Sequence, residues 1–331
     1  MLFQVLTVNF SLIEINLMNS LTPLTSQIIE VVEKAAIACY GWIGKGDNMA
    51  ADQAAVTSMR ESLNLMNIAG TIVIGEGERD EAPMLYIGEK VGKGGMAVDI
   101  ALDPLEGTTI CANAGESSLA VIAFAKDGGF LHAPDVYMDK IAVGAGLPQG
   151  VIDLDNSPKT NLSNIAKAKK CDISDLTVMI LERTRHQELI AKVREAGAKI
   201  RLIGDGDVAG VIACTSQSAR IDAYMGTGGA PEGVLAAAAL RVIGGQMMGR
   251  LIFGDNQKQI ERAKKMGISD LNKKYLAEDM AKGDVIFACA GVTDGYMLSG
   301  IKKSSGKIFV NSLVMDSAAK KVINTNSEYL C

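Results

Sequence analysis

The stretch Ala97-Val-Asp-Ile-Ala-Leu-Asp-Pro-Leu-Glu-Gly-Thr108 joins a strand pattern directly to two carboxylates and a hydroxyl. Apolar residues recur at every second position up to residue 102, which predicts a strand with one apolar face. That face contains Val98, Ile100 and Leu102. Asp99 and Asp103 then lie on the opposite face, where a buried carboxylate needs a partner.

The end of this stretch, from Asp103 to Thr108, has two interpretations. In the first, Asp103 caps a helix that begins at Pro104, and Glu106 closes a capping box, although Gly107 would weaken such a helix. In the second, the two carboxylates bind a divalent cation. Hard cations such as Mg²⁺ prefer oxygen ligands and keep waters, and a neighbouring hydroxyl can orient such a water for attack on phosphorus.

Three isolated acids are further candidates for this metal site. Asp52 falls in the first turn of a helix predicted from about Ala50, where compensation of the helix dipole is the alternative explanation. Glu76 follows a short predicted strand over residues 71–74 and has a glycine on each side, so its backbone can turn inward or form a surface turn. Glu232 lies at the predicted start of a helix.

Composition narrows the class of protein. The chain has 331 residues, a net charge of −5 and no block of basic residues, so nucleic-acid binding is not expected. Six cysteines are scattered without a metal-binding spacing, which predicts buried thiols in a reducing cytoplasm. With only two histidines, a histidine-based zinc site is nearly excluded.

The N-terminal segment is apolar but has no Lys or Arg before Lys34, so neither an export signal nor a membrane span is expected. We interpret residues 1–20 as an extension that is either disordered or translated from a start codon upstream of a true one at Met18. The rest is expected to form two halves, residues 21–172 and 173–331, because residues 145–172 are rich in Pro, Gly, Asn, Asp and Lys.

The first half is predicted to contain a helix over residues 27–40 and a hairpin over residues 117–132 that turns at Asp127-Gly128. The second half alternates strands and helices, which predicts a parallel or mixed α/β sheet. Its predicted strands are 176–181, 199–203 and 222–225, and its predicted helices are 187–196, 208–213 and 233–242.

Polar residues follow each of these three predicted strands. Arg183 and Arg185 follow the first, Asp205-Gly-Asp207 follows the second, and the glycine-rich segment 226–232 follows the third. Ligands bind beyond the carboxyl ends of strands in such sheets. Any one segment could be an ordinary loop, but three together predict a binding crevice.

From about residue 28 to residue 310, the chain resembles the class II fructose-1,6-bisphosphatases of bacteria, in the lithium-sensitive sugar phosphatase superfamily. The matching segments are GKGD (44–47) with AD (51–52), GTIVIGEGE (70–78) continuing through 80–89, VDIALDPLEGT (98–108), APDVYM (133–138), DGDVA (205–209) and GGAPEG (228–233). Two positions differ from the usual family pattern: Asn48 and Arg183 stand where lysine is common. The resemblance implies an α/β sugar-phosphatase fold with α-β-α-β-α layers and an active site in the crevice between two sheet-containing halves.

The resemblance also implies a role for each matching residue. One Mg²⁺ or Mn²⁺ would be bound by Asp52 and Glu76, and a second by Asp103, Glu106 and Glu232. Thr108 and Asp80 would be the catalytic residues. Substrate would be bound by Glu106, Gly107, Thr108, Tyr137, Arg183, Thr184, Arg185, Asp205, Gly206, Asp207 and Gly229.

The implied activity is hydrolysis of the 1-phosphate of fructose 1,6-bisphosphate in gluconeogenesis, by a cytoplasmic homo-oligomer, dimer or tetramer. Two arginines in one short loop favour a bisphosphate over a monophosphate. Activity on sedoheptulose 1,7-bisphosphate as well stays open, and a more distant relative would act on inositol or nucleotide phosphates. The alternative from another class is a non-catalytic sugar-phosphate sensor on the same fold.

Overall fold

The protein is described by a computed structural model that covers residues 20–77, 84–216 and 218–330. The helices in these ranges are α1 (Thr25–Cys39), α2 (Asn48–Leu65), α3 (Thr108–Ala112), α4 (Pro158–Lys169), α5 (Gln187–Glu195), α6 (Asp207–Ala213), α7 (Ala230–Ile243), α8 (Gln257–Lys265) and α9 (Ala277–Met280). The strands are β1 (Ile68–Ile74), β2 (Lys90–Val91), β3 (Met96–Glu106), β4 (Leu119–Lys126), β5 (Tyr137–Val143), β6 (Thr177–Leu181), β7 (Lys199–Ile203), β8 (Ala223–Gly229), β9 (Gln246–Ile252), β10 (Tyr275–Leu276), β11 (Val285–Gly291), β12 (Lys302–Ser304), β13 (Lys307–Asp316) and β14 (Lys321–Leu330).

The strands form two mixed sheets. The first has the order β12-β13-β11-β4-β3-β1-β2, with β14 also paired to β13, and the second has the order β10-β9-β5-β8-β6-β7. Pairing is parallel between β1 and β3 and between β6 and each of β7 and β8, and antiparallel elsewhere. The α/β class and the alternating order of the second half are confirmed.

Helices cover both faces of each sheet, so the layers follow the predicted α-β-α-β-α order. Helices α1 and α2 pack on one face of the first sheet, where Ile28 and Met59 contact the side of β3 that contains Ile100. Helices α6 and α7 fill the space between the sheets. Helices α4 and α5 cover the outer face of the second sheet through Leu162 and Val193. Burial of apolar faces on both sides of each sheet stabilises this stack.

The central layer is thin because α7 is rich in alanine. Its sequence Ala230-Pro-Glu-Gly-Val-Leu-Ala-Ala-Ala-Ala-Leu-Arg-Val-Ile243 places small side chains in contact with both sheets. Gly233 has no room for a side chain, because a Cβ there would lie 2.6 Å from Met138 Sδ. These small residues let the two sheets approach one helix closely.

The prediction of a hairpin over residues 117–132 was wrong in its second strand. The turn is present, with Gly129 N–H donating to the Lys126 carbonyl at 2.8 Å, but Phe130 forms only an isolated bridge with Ala281. Strand β4 already pairs with β3 on one side and β11 on the other. No edge of β4 is therefore left for a returning strand.

The division into residues 21–172 and 173–331 stays a prediction, and the sheets take strands from both sides of it. Strand β5 precedes the predicted boundary but lies in the second sheet, whereas β11 to β14 follow it and lie in the first. Residues 1–19, most of the predicted N-terminal extension, lie outside the described ranges. Within those ranges, no helix combines the length and the apolar character that crossing a bilayer requires.

Candidate active site

A cavity of about 310 Å³ is lined by four of the five acids predicted as metal ligands, and these four come from separate elements of the fold. Asp52 comes from α2, Glu76 from the loop after β1, Asp103 from the end of β3 and Glu232 from the first turn of α7. Other lining residues are Gly107, Thr108, Asp135 and Asp205. The cavity lies between the two sheets, as the resemblance implied.

The segment from Asp103 to Thr108 does not cap a helix with Asp103. Strand β3 continues to Glu106, and its register with β4 shifts between residues 103 and 106. Asp103 Oδ1 accepts a hydrogen bond of 3.1 Å from Leu105 N–H, and Gly107, with φ of 76°, is the residue before α3. The capping interpretation was therefore wrong, and the irregular strand end brings Asp103 to the cavity.

Asp52 also does not lie in the first turn of its helix, where an acid would compensate the helix dipole. Helix α2 begins at Asn48, and Asp47 caps it by accepting a hydrogen bond of 3.0 Å from Ala50 N–H. The first turn of α2 contains no acid, so Asp52 lies beyond it and faces the cavity. Burial raises its pKa.

Glu76 is held by a tight backbone contact. A Cβ at Gly75 would overlap the carbonyl oxygen of Leu85, so only glycine allows the chain to pass here. Glu76 N–H donates to that same carbonyl at 3.1 Å. Burial raises the pKa of Glu76 to about 8, and the charge of Asp52 adds to the effect.

The acids interact strongly with one another. Burial raises the pKa of Asp103 well above its usual range, and four nearby acids add to this shift: Glu76, Glu106, Glu232 and Asp52. Burial likewise raises the pKa of Glu232 to about 7. Without a cation, part of this cluster therefore takes up protons at neutral pH.

Glu106 links the cavity wall to the start of α6. Its side chain is buried, and Oε1 accepts a hydrogen bond of 2.6 Å from Val208 N–H. Its Oε2 is buried and has no hydrogen-bond partner among the described residues. Burial, followed by the charge of Asp207, raises the pKa of Glu106 well above its usual value. A buried, unpartnered carboxylate oxygen costs free energy unless a cation or a proton satisfies it.

The donor set has the chemistry of a hard-cation site. It consists of five carboxylates with the Thr108 hydroxyl beside them, all of them oxygen donors of the kind that Mg²⁺ and Mn²⁺ prefer. In the described part of the chain, no three Asp, Glu, His or Cys side chains converge closely enough to form a complete metal site. Four of these acids line the cavity. Glu106 is buried and does not line it, although its neighbours Leu105 and Gly107 do, and its orphaned oxygen fits a cation.

A second cavity, of about 620 Å³, adjoins the first and shares Asp135 and Glu232 with it. Tyr137 and Gly229 line this second cavity. The Arg185 guanidinium lies over the Tyr137 ring and donates to the Thr227 carbonyl at 3.0 and 2.9 Å. Of the two predicted arginines, Arg185 therefore lies at the rim of the second cavity.

The remaining residues of the predicted loops differ in exposure. Arg183 Nη2 lies 3.7 Å from Asp205 Oδ1, and both of these side chains are partly exposed, whereas Thr184 is exposed. Asp207 is buried, and its carboxylate forms an ion pair with the Lys140 ammonium. Gly206, with φ of 83°, is the residue before α6. Asp205 therefore lines the first cavity, whereas Asp207 lies beneath it.

Three residues near the site were not identified from the sequence. Asp135 lines both cavities, whereas the resemblance assigns a role only to Tyr137 in the segment 133–138. Lys140 is 2% exposed and also donates to the Gly229 carbonyl at 2.8 Å. His186 is buried between the Leu181 carbonyl and Thr227 N–H. Asp80, a predicted catalytic residue, lies outside the described residues.

Comparison with known proteins now identifies the family. The family model described as bacterial fructose-1,6-bisphosphatase, glpX-encoded, matches residues 22–329. This chain belongs to that family. Similar members of this fructose-1,6-bisphosphatase family bear the name D-fructose 1,6-bisphosphatase class 2/sedoheptulose 1,7-bisphosphatase. The one from Synechococcus sp. (strain JA-3-3Ab) is 44% identical over 323 residues, covering 89% of this chain and 92% of the relative.

A second relative, from Prochlorococcus marinus (strain MIT 9312), is 43% identical over 321 residues, covering 93% of this chain and 96% of its own. A solved structure of an inositol monophosphatase from Anabaena (Nostoc) sp. PCC 7120 aligns over 62% of this chain and 74% of that chain. That alignment has a TM-score of 0.33 at 15% identity, too low to support a fold assignment. Membership of the fructose-1,6-bisphosphatase family rests on the sequence matches.

Proposed function

We propose that this chain hydrolyses the 1-phosphate of D-fructose 1,6-bisphosphate to give fructose 6-phosphate and inorganic phosphate. The observation that carries the proposal is the acid-lined cavity beside a cavity whose rim has paired cationic and aromatic side chains. The first can bind metal and the reacting phosphate, and the second can bind a second phosphate. Membership of the fructose-1,6-bisphosphatase family supports this substrate.

We propose that Asp52 and Glu76 would hold one divalent cation, and that Asp103, Glu106 and Glu232 would hold a second. When bound, the cations would neutralise the charge on the phosphate and polarise a water molecule. The raised pKa values of these buried acids and the orphaned Glu106 Oε2 support this assignment. Mg²⁺ or Mn²⁺ as the cation stays a prediction.

The chain's own groups would orient the reactants. We propose that Thr108 Oγ1 accepts a hydrogen bond from the attacking water and points its oxygen at phosphorus, while Gly107 and Glu106 contact the phosphate. The P–O bond to the sugar breaks as the water oxygen bonds to phosphorus, and the sugar oxygen takes up the proton that the water gives up. Asp80 is proposed as the second catalytic residue. Its position lies outside the described ranges.

The far end of the substrate would bind at the second cavity. Guanidinium groups bind phosphate through two parallel hydrogen bonds, so Arg183 and Arg185 suit the non-reacting phosphate. We propose that Tyr137 and Thr184 also contact this phosphate. Because a carboxylate repels phosphate, Asp205 suits the sugar hydroxyls, which would donate hydrogen bonds to it. Gly206, Asp207 and Gly229 would lie around these hydroxyls. Asp207 would take part only if its bond to Lys140 rearranges.

A second candidate substrate is sedoheptulose 1,7-bisphosphate, which the printed names of the relatives include. The test measures phosphate release from both bisphosphates and from inositol 1-phosphate, with Mg²⁺ or Mn²⁺ and with EDTA. Metal-dependent release from fructose 1,6-bisphosphate would support the main proposal. If no substrate releases phosphate but a bisphosphate still raises Tm, the proposal of an enzyme would be replaced by that of a non-catalytic sugar-phosphate sensor.

A further inference from the structure

Strand β14 is a long, free edge of the first sheet. It pairs along its whole length with β13, and in the described part of the chain no strand lies on its other side. In an antiparallel strand, the N–H and C=O groups of alternate residues point away from the paired neighbour. Such an edge is a template for pairing with another chain unless it is short, bulged or charged. Strand β14 spans ten residues and has charged side chains only at Lys321 and Glu328.

Exposed apolar side chains accompany this edge. Val322 is 54% exposed and Leu330 is 84% exposed, and Ile323 and the neighbouring Phe309 of β13 are each 40% exposed. Val322 and Leu330 lie near the two ends of the strand, and exposed apolar side chains beside unpaired backbone groups favour association with a partner.

Side-chain hydrogen bonds on both faces of the strand also fix it in place. Buried Glu33 of α1 accepts hydrogen bonds from Ser327 Oγ at 2.7 Å and from Tyr329 OH at 2.6 Å. Asn311 of β13 donates to Asn324 Oδ1 at 2.7 Å and to Asn326 Oδ1 at 3.2 Å. The edge is therefore held in one conformation before any partner binds, which lowers the entropic cost of pairing.

The sequence of this edge is palindromic in chemical character. Residues 322–330 read Val-Ile-Asn-Thr-Asn-Ser-Glu-Tyr-Leu, with Asn326 at the centre. If two such strands pair antiparallel with the two Asn326 residues opposite each other, Val322 lies opposite Leu330 and Ile323 opposite Tyr329. Thr325 then faces Ser327, and Asn324 faces Glu328. Each pair has matching polarity, and no two like charges are opposed.

We propose that a second copy of this chain pairs with β14 across a two-fold axis at Asn326, so that the first sheets of two protomers join into one continuous sheet. Two-fold pairing uses the same patch on both partners, which is what a palindromic strand provides. Pairing with a strand of a different protein would not require the first half of β14 to match its second half, so the match favours a second copy of this chain.

The test compares two double variants that both change the exposed residues Val322 and Leu330 and differ only in the charges they introduce. In Val322→Glu/Leu330→Glu, carboxylates oppose one another at both ends of the paired strands. In Val322→Lys/Leu330→Glu, each ammonium opposes a carboxylate. Sedimentation velocity in reducing buffer measures the mass of wild type and variants, and thermal melting with phosphate release shows that the chains stay folded.

We expect wild type to sediment at twice the chain mass of 34.9 kDa, or as a larger even assembly. The Glu/Glu variant should lose one level of association, and the Lys/Glu variant should keep it at low salt and weaken as salt rises. A wild-type protein that is monomeric at micromolar concentration would overturn the proposal. So would an assembly that both variants retain equally, or that both lose equally.

Discussion

The guanidinium carbon of Arg185 lies 4.8 Å from the centre of the Tyr137 ring, and the same guanidinium donates two hydrogen bonds to the Thr227 carbonyl. Cation–π contact and the paired bonds fix the direction of the guanidinium before a ligand arrives. Tyr137 is 53% exposed, so the ring supports the cation at the open rim of the second cavity.

Replacing Arg185 with Ala should weaken binding of the bisphosphate selectively. Loss of a charged hydrogen-bonding partner costs about 1.5–3 kcal/mol, so KM for fructose 1,6-bisphosphate should rise by about 10- to 100-fold. KM for a small phosphate monoester should change little. Steady-state kinetics on both substrates measure the difference, with Lys192→Ala as the control for removing an exposed cation. Equal effects on the two substrates would contradict a role at the second phosphate.

Replacing Asp103 with Asn should abolish hydrolysis and preserve the fold. The amide oxygen of Asn can still accept the hydrogen bond from Leu105 N–H, whereas the charge is lost. We expect phosphate release to fall by about 10²–10³-fold or more, and the Mg²⁺-dependent rise in Tm to shrink. Asp99→Asn is the matched control, because Asp99 is a buried acid of the same strand outside the cavity. Turnover like wild type in Asp103→Asn would exclude it as a metal ligand.

Removal of metal should make stability depend on pH. The pKa of Glu76 is raised to about 8 and that of Glu232 to about 7, so the folded chain binds more protons than the unfolded chain above pH 4.5. Stability without metal is then greatest at low pH and is lost as the pH rises toward about 8.

Thermal melts from pH 5 to pH 8, with EDTA or with Mg²⁺, measure this dependence. In EDTA, Tm should fall as the pH rises, and Mg²⁺ should raise Tm most at the alkaline end, where the acids are ionised. A Tm that EDTA leaves unchanged across this range would count against the metal site.

Replacing Gly229 with Ala should disturb Glu232 and leave the backbone intact. Gly229 has φ of −64°, which alanine adopts freely, but a Cβ there would overlap Glu232 Oε2. We expect weaker metal binding and lower activity, with little change of Tm in EDTA. Gly204→Ala is the matched control, since a Cβ at Gly204 meets no atom within 4 Å. A variant with unchanged metal affinity would show that Glu232 can move without consequence.

The sequence predicted helices and strands well where the spacing of apolar residues within one element decides its structure. The apolar alternation before Asp103 predicted β3, and the strands and helices from residue 176 to residue 243 lie where the sequence predicts them, within a few residues. The hairpin prediction failed because strand neighbours are decided by distant segments. The second neighbour of β4 is β11, more than a hundred residues away, and no local signal identifies it.

The sequence predicted the acids of the site, but not the buried residues that hold them in position, such as Lys140. A lysine between polar and apolar residues of a strand is typical of an exposed position, so Lys140 gave no signal. Its burial depends on Asp207, which the fold brings from 67 residues away. Asp52 was close to a helix start in the sequence, and only the true start at Asn48 separates it from a role in compensating the helix dipole. Such distinctions depend on one or two residues at an element boundary.

The hydrogen bond between Glu106 and Val208 N–H makes one backbone amide a reporter of the cavity. Glu106 belongs to the first sheet and Val208 to a helix that packs on the second, so an occupant that draws on this carboxylate also changes the bond between the layers. The Val208 amide proton should therefore change its chemical shift and its rate of exchange with solvent when a cation binds. Its resonance can follow occupancy of the site without any substrate or turnover.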